Sequence, residues 1–390
     1  MVLSHPKSNV ALILLLWAAG LAAAGQFAKV SVTFENLQVI YADQKTYLGF
    51  VVSIIGLTGV VFGLTAAQLV NAFGYRRLLV LSLTAGAIIS VFQASLPSFE
   101  LLLISRVLEG FTHLAIVIAA PTLISVLSAQ ESRSFFMALW STFFGITYAL
   151  MALIAPPLIA NFGVESVYIF HALYMGLVGI LVMICLTPGQ VGRARFPSFR
   201  QVLARHRAVY TSAHEFAPGL GWLFYTLTFV SVLTILPASL PKATALVLIP
   251  LLPIAGIISS LTLGAVLLRY LAATTLAQIG FLLAAMSCLA ILAGVSGTWG
   301  FLCLFSAMGL IQSASFAAIP QLNSTEQSQA LANGAMAQMG TLGNTLGTPL
   351  FLGLIAFAGM GALPVALTTI FLCGAFSHYA LAQQRRKFPR

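Results

Sequence analysis

The chain is a succession of apolar runs, each long enough to cross a bilayer, separated by short interruptions of charge, proline and glycine. A spanning helix needs about 20 mostly apolar residues. Twelve segments qualify: 9–33, 46–70, 76–96, 100–127, 134–160, 165–187, 218–239, 243–268, 271–293, 298–320, 329–357 and 361–382. Lipid offers no hydrogen-bond partner, so each run must satisfy its own backbone, and helices do so. The expected fold class is an all-α membrane protein of twelve transmembrane helices.

Charge content excludes the soluble alternatives. Charged residues make up 7% of the chain, against about 25% in a soluble domain. The opening MVLSHPKSNVALILLLWAAGLAAAGQ has the lysine, apolar run and small residues of a secretory signal. Its apolar pattern continues through Phe34, however, and an even helix count requires it as the first span.

Basic residues set the orientation. With the N-terminus in the cytoplasm, Lys7, Arg76, Arg77, Arg133, Arg193, Arg195, Arg200, Arg205, Arg207, Arg269, Arg385, Arg386, Lys387 and Arg390 all fall inside, 14 of the 18. Lys29, Lys45 and Lys242 fall outside, and Arg106 within the membrane. Both termini are therefore expected in the cytoplasm, in a cell (inner) membrane. The net charge of +10 is explained by this topology, so nucleic acid is not an expected partner. The four cysteines, without a CxxC pair, read as small core residues.

One long polar stretch divides the chain into a six-helix bundle over 1–187, a basic cytoplasmic linker over 188–217, a second six-helix bundle over 218–382 and a basic tail over 383–390. Within the linker, Phe199–Val209 reads as an amphipathic interfacial helix. The halves repeat. Gly110, His113 and Pro121 of the fourth span match Gly309, Gln312 and Pro320 of the tenth in spacing. Ala138–Leu139 precede Pro157–Leu158 as Ala330–Leu331 precede Pro349–Leu350, and Trp17 has a counterpart in Trp222. The expectation is two pseudo-symmetric bundles, and a duplicated bundle normally places a substrate site near the membrane midplane.

The stretch SRVLEGFTHLAIVIAAP, residues 105–121, then stands out. Arg106, Glu109 and His113 share one helix face, and Gly110 admits a neighbouring backbone. Entering near Glu100, the helix carries Arg106 roughly 9 Å deep, Glu109 roughly 13 Å and His113 roughly 20 Å. A charge there costs about 2.5–3.5 kcal/mol to insert, so these groups must face protein or water. Arg106 and Glu109 form either an architectural ion pair or a working site, in which Arg106 binds an anionic substrate and Glu109 exchanges a proton. His113 is either a hydrogen-bonded packing residue or part of the proton path. Gln26, Lys29, Gln312, Asn333, Gln338 and Asn344 are candidate cavity-lining residues, though Lys29 could instead snorkel to the outer interface. The helix-eleven glycines read as packing or bending positions.

Between the second and third spans the chain reads AAQLVNAFGYRRL. This resembles the signature loop of the major facilitator superfamily, with Phe73, Gly74, Arg76 and Arg77 in place. Ala67 and Asn71 stand where that pattern has Gly and Asp. In the family that Asp helps lock the outward-open state, and a neutral Asn71 weakens the analogy. RVLEG at Arg106–Gly110 is similar to the helix-four RxxQG motif of the same family, with Glu109 for Gln, whereas APP at 155–157 is only faintly similar to the helix-five motif of its antiporters. The resemblance implies the twelve-helix fold of that family.

No Walker loop, nucleophile elbow, HExxH or metal cluster appears, so no cofactor, metal or catalytic residue is expected, and an ion or solute gradient must supply the energy. The expected function is a monomeric secondary transporter, not an enzyme, moving a small organic solute by alternating access, coupled to protons through Glu109. The arginine favours an anionic cargo. The alternatives are efflux of drugs or metabolites by proton antiport, a non-transporting receptor, or a membrane-embedded enzyme.

Overall fold

The structure, a computed structural model, describes residues 8–63, 73–129, 131–187 and 198–387. Among these residues there is no strand, and eleven helices are long and apolar enough to cross a membrane. Twelve were expected. The remaining one, expected over 46–70, is described only as far as Gly63, as two short pieces joined by a 3-10 turn at Ile54–Gly56.

Contacts divide the chain into two compact units, Met1–Thr58 with Thr65–Phe196, and Gly59–Leu64 with Pro197–Arg390. The helices up to Cys185 are α1 (Val10–Val32), α2 (Phe34–Ile40), α3 (Leu48–Ser53), α4 (Leu57–Phe62), α5 (Tyr75–Ala94), α6 (Phe99–Leu127), α7 (Arg133–Ser141), α8 (Phe143–Phe162) and α9 (Glu165–Cys185), of which α4 passes from the first unit into the second at Gly59. The span expected over 134–160 is thus interrupted at Thr142. From Phe199 onward come α10 (Phe199–Thr211), α11 (Phe216–Ile235), α12 (Lys242–Ser259), α13 (Ala273–Leu292), α14 (Gly297–Leu322), α15 (Glu326–Ala358) and α16 (Ala362–Lys387), all in the second unit.

Local chemistry explains the ends. Asn9 accepts the Leu12 N–H at 3.2 Å and so caps α1. Gly74 has φ +75°, a conformation in which a side chain is strained, and it starts α5. Ser198 and Gln201 form a reciprocal capping box for α10, the amphipathic helix expected in the linker. Prolines inside α6, α8, α12, α14 and α15 do not end these helices. Neighbouring helices re-satisfy the carbonyls that proline frees. A π-turn at Ser260–Gly264 follows α12.

The repeat read in the sequence is present in the packing of each unit. In the first, α1 packs along α8, α5 along α9 and α6, and α1 along α6. In the second, α11 packs along α15, α13 along α16 and α14, and α11 along α14. Two matched glycines show the same device. A side chain on Gly110 of α6 would strike the Ile55 carbonyl, and one on Gly309 of α14 would strike the Gly256 carbonyl of α12. Gly343 and Gly347 of α15 likewise lie against Leu223, Thr226 and Leu227 of α11, which is close helix packing.

The cores are aliphatic and aromatic: Ile13, Leu16, Leu79, Leu83, Ile116 and Met175 cluster in the first unit. Outward faces are apolar as well, with Leu173, Ile184 and Phe376 each 70% exposed. Lipid tails are as apolar as leucine, so nothing drives these side chains inward. The same physics corrects the cysteines. Cys288 is buried, whereas Cys185, Cys303 and Cys373 are exposed, because an apolar thiol suits either side of a membrane helix.

Candidate functional site

The first unit is built around α1, whose run Ala22–Gly25 is fully buried among its neighbours. Small residues let other helices reach the α1 backbone, and their side chains bond directly to its carbonyls. His113 Nδ1 lies 3.0 Å from the Ala23 oxygen, His171 Nε2 2.9 Å from that of Ala22, and Arg106 Nη1 2.8 Å from that of Gln26. Gly25 is what admits His171, since a Cβ there would meet the imidazole at 2.6 Å.

One turn further along α1, Lys29 reaches into a charge cluster. Its Nζ sits 2.6 Å from Glu109 Oε1, and the other carboxylate oxygen pairs with Arg106. All three side chains are enclosed, with 0% exposure. The outcome for Lys29 is settled: it does not snorkel outward but faces the protein interior. Each nitrogen of the arginine side chain bonds to protein. Besides Glu109, its Nε donates to the Val51 carbonyl at 2.8 Å and its Nη1 to the Gln26 carbonyl. With all three ionised, two cations face one carboxylate, and the cluster holds one positive charge in excess.

The donors and acceptors around the cluster form an ordered chain. Lys29 donates to Ser90 Oγ at 2.6 Å. The Ser90 hydroxyl lies 2.8 Å from His171 Nδ1. A carbonyl can only accept, so His171 carries its proton on Nε2 toward Ala22, and Nδ1 takes the Ser90 proton. On the other side, Gln93 Nε2 donates to Glu109 Oε2 at 3.1 Å and to Ser105 Oγ at 2.9 Å. Tyr168 presents its ring 5.7 Å from the ammonium. The result is a buried network in which a proton and its acceptors are in continuous hydrogen-bond contact.

The structure brings Arg106, Glu109 and Lys29 together and sets Gln26 beside them, where its Nε2 donates to Thr112 Oγ1 at 2.6 Å. His113 lies on the same face but packs edge-on against Phe27, with centroids 5.0 Å apart. The remaining candidates lie elsewhere. Gln312 accepts from the Tyr225 hydroxyl at 3.3 Å. Asn333 is exposed and donates to the Gln329 carbonyl of its own helix at 3.0 Å. Asn344 is 8% exposed. Gln338 accepts from the Tyr210 hydroxyl at 2.5 Å and donates to the Val60 carbonyl, within the unit that includes Gly59–Leu64. Burial pushes the Tyr210 phenol up to about 12.

Of the loop motif, Gly74 adopts positive φ, Arg76 binds the Met183 carbonyl through Nε at 3.2 Å and Nη2 at 2.6 Å, and Arg77 is exposed. Asn71 lies outside the described residues.

Sequence reasoning missed Ser90, Gln93, Ser105, Thr112 and His171. A faint signal existed. Ser90 and Gln93 are polar residues one turn apart in an apolar span, and His171 is the one histidine of its helix. Neither pattern names a partner, because the contacts run between residues separated by up to 149 positions.

The Major Facilitator Superfamily profile matches residues 15–348. Over 164 residues the chain is 26% identical to the inner membrane transport protein YajR of Escherichia coli strain K12, covering 42% of this chain and 36% of that one. It is 27% identical over 164 residues to an uncharacterized transporter of Buchnera aphidicola subsp. Schizaphis graminum, covering 42% of this chain and 41% of that one. These matches span less than half the length of either relative. In structure the chain is similar to a bacterial homolog of the human lysosomal transporter Spinster in an inward-facing and occupied conformation. The TM-score is 0.74 at 12% identity, covering 96% of this chain and 97% of that one. The unoccupied form of that homolog gives 0.70 at 13% identity, covering 95% and 93%. At such identity the likeness concerns the fold. With the profile match extending over most of its length, and with the same packing repeated in both units, this chain belongs to the Major Facilitator Superfamily.

Proposed function

We propose that the protein is a secondary transporter, not an enzyme, that carries a small organic anion by alternating access and exchanges a proton at the Lys29–Glu109 pair. It works in the cytoplasmic membrane with both termini in the cytoplasm, the side on which its basic loops concentrate.

The observation that carries this reading is the enclosed triad of Lys29, Glu109 and Arg106. Burying ions is costly, and an apolar core of equal volume would be as stable, so an enclosed ion cluster favours function over stability as its reason. Arg106 spends its donors on carbonyls and on Glu109, which suits it to hold the carboxylate in place. Lys29 is the mobile partner, with a flexible stem and a compact charge that can release or exchange a proton. The excess positive charge favours an anionic guest, whose arrival would offset it.

The test begins with a thermal-shift screen of the purified chain against carboxylates, phosphate esters and neutral solutes, since a ligand of the folded state raises apparent stability. Solutes that stabilise are then loaded into proteoliposomes for counterflow. Anions should stabilise and exchange across the sealed bilayer. Stabilisation without counterflow would point to a receptor, and exchange restricted to cations or neutral drugs would favour efflux by antiport.

A further inference from the structure

The interior of the second unit is poor in charge. Between Phe216 and Gln384 the only Asp, Glu, Lys or Arg residues are Lys242, Arg269 and Glu326, all at helix ends, and the only histidine is His378. That histidine sits in the core of α16 at 0% exposure. Neither of its ring nitrogens has a hydrogen-bond partner in the protein. A second orphan lies close by. Ser315 Oγ of α14, 1% exposed, also has no partner.

The two orphans converge on one place. A Cβ added to Gly221 of α11 would lie 2.6 Å from His378 Nε2 and 3.0 Å from Ser315 Oγ. Atoms that close to a common point are near enough to share one water, which needs two or more polar partners to stay in a protein interior. Glycine at 221 lets both side chains come up against the α11 backbone. The other face of the imidazole packs against the Phe281 ring, with centroids 5.7 Å apart. A residue needed only for packing there would be phenylalanine, which fills the volume without leaving two nitrogens unmet.

We propose that His378 and Ser315 hold a buried water beside Gly221, and that His378 is a proton-binding site of the second unit, additional to the Lys29–Glu109 site of the first. The proton comes from solvent, relayed by that water onto the lone pair of whichever ring nitrogen lacks a hydrogen, and the water is left neutral. The helices packed against α16 place few other ionisable groups in reach. α11 offers Tyr225, bonded to Gln312, α13 offers Cys288, and α15 has Glu326 only at its first position. On α16 itself the nearest cation is Arg385, two turns on, whose Nη1 is engaged by the Ala213 carbonyl at 2.8 Å.

The test uses the full chain with nitrogen-15-labelled histidine in lipid nanodiscs, with His378→Gln identifying the signal by its loss. The expected result is a His378 ring in contact with water that passes from neutral to doubly protonated as the sample is acidified. Ser315→Ala should remove the water contact, and Gly221→Ala, which drives a methyl against the imidazole, should displace the same signal. These two variants identify it should His378→Gln fail to fold. A ring that stays neutral down to the lowest pH at which the chain remains folded, or that shows no water contact, overturns the proposal. The signal is read on the imidazole itself and so is separate from coupled transport. A silent His378 with intact Glu109-dependent accumulation sinks this inference alone. A titrating His378 with accumulation indifferent to Glu109 sinks only the coupling reading above.

Discussion

Lys29 and Glu109 stand 80 residues apart in the chain and 2.6 Å apart in the fold, with neither side chain exposed. Their meeting turns one helix-four ion pair into a three-member cluster with unequal charge, and that imbalance sets the first expectation.

Removing the acid and removing the lysine should differ in sign-dependent cost. Glu109→Gln leaves two buried cations without a counter-ion and should destabilise by about 3–5 kcal/mol, the usual cost of an uncompensated buried charge. Lys29→Met leaves Arg106 and Glu109 balanced and should cost less, about 1–3 kcal/mol for the lost hydrogen bonds. The double variant should recover part of the Glu109→Gln loss. Unfolding of the three variants in lipid measures this, and simple additivity would contradict the charge argument.

Coupling provides a separate readout. One pH unit is worth about 1.36 kcal/mol per proton, or tenfold accumulation. Glu109→Gln should keep solute exchange yet lose that pH-driven gain, falling from about tenfold to near unity. Undiminished accumulation in the variant would remove Glu109 from the coupling role.

Arg106 donates to the Val51 and Gln26 carbonyls as well as to Glu109. Arg106→Lys keeps the charge but lacks the fork, so it should lose about 2–4 kcal/mol of stability, given charged hydrogen bonds of about 1.5–3 kcal/mol each. Ligand affinity measured on the same variant separates roles: unchanged affinity makes the arginine a holder of the carboxylate, and lost affinity makes it a substrate contact.

The matched glycines should respond alike. Gly110→Ala and Gly309→Ala drive a methyl into a neighbouring carbonyl and should each cost about 1–3 kcal/mol. Gly353 has open space around it, so Gly353→Ala should be neutral or gain up to about 1 kcal/mol. Thermal unfolding midpoints rank the three, and equal effects would refute the close approach.

Tyr210 gives a pH expectation. Burial raises its phenol from an ordinary value of 10.0 to about 12. The raised value means that the stability it contributes is complete below pH 10 and is lost as pH rises from there through about 12. Tyr210→Phe should flatten the alkaline fall in stability over that window while removing the bond to Gln338. An unaltered alkaline fall would place the titration elsewhere.

Much of this was legible because lipid imposes simple rules. Run length marks a span, and the Gly110 and Gly309 spacing marked a duplication that recurs in the packing. The Arg106–Glu109 pair was legible too, since neighbours on one helix face are fixed by helical periodicity. Lys29 was ambiguous for a matching reason: a lysine near the end of an apolar run can reach either water or an internal acid, and its own sequence neighbours are the same in both cases.

The sequence by itself determined the solvent, the helical class, the twofold division and the Arg106–Glu109 pair on one helix face, all properties of local composition and period. Only the tertiary structure decided that Lys29 turns inward, that Ser90 and His171 continue its hydrogen bonds, and that His378 shares its place with Ser315. Those contacts join separate helices, and which faces meet is settled by packing small residues against one another, a choice that no single helix carries in its own pattern.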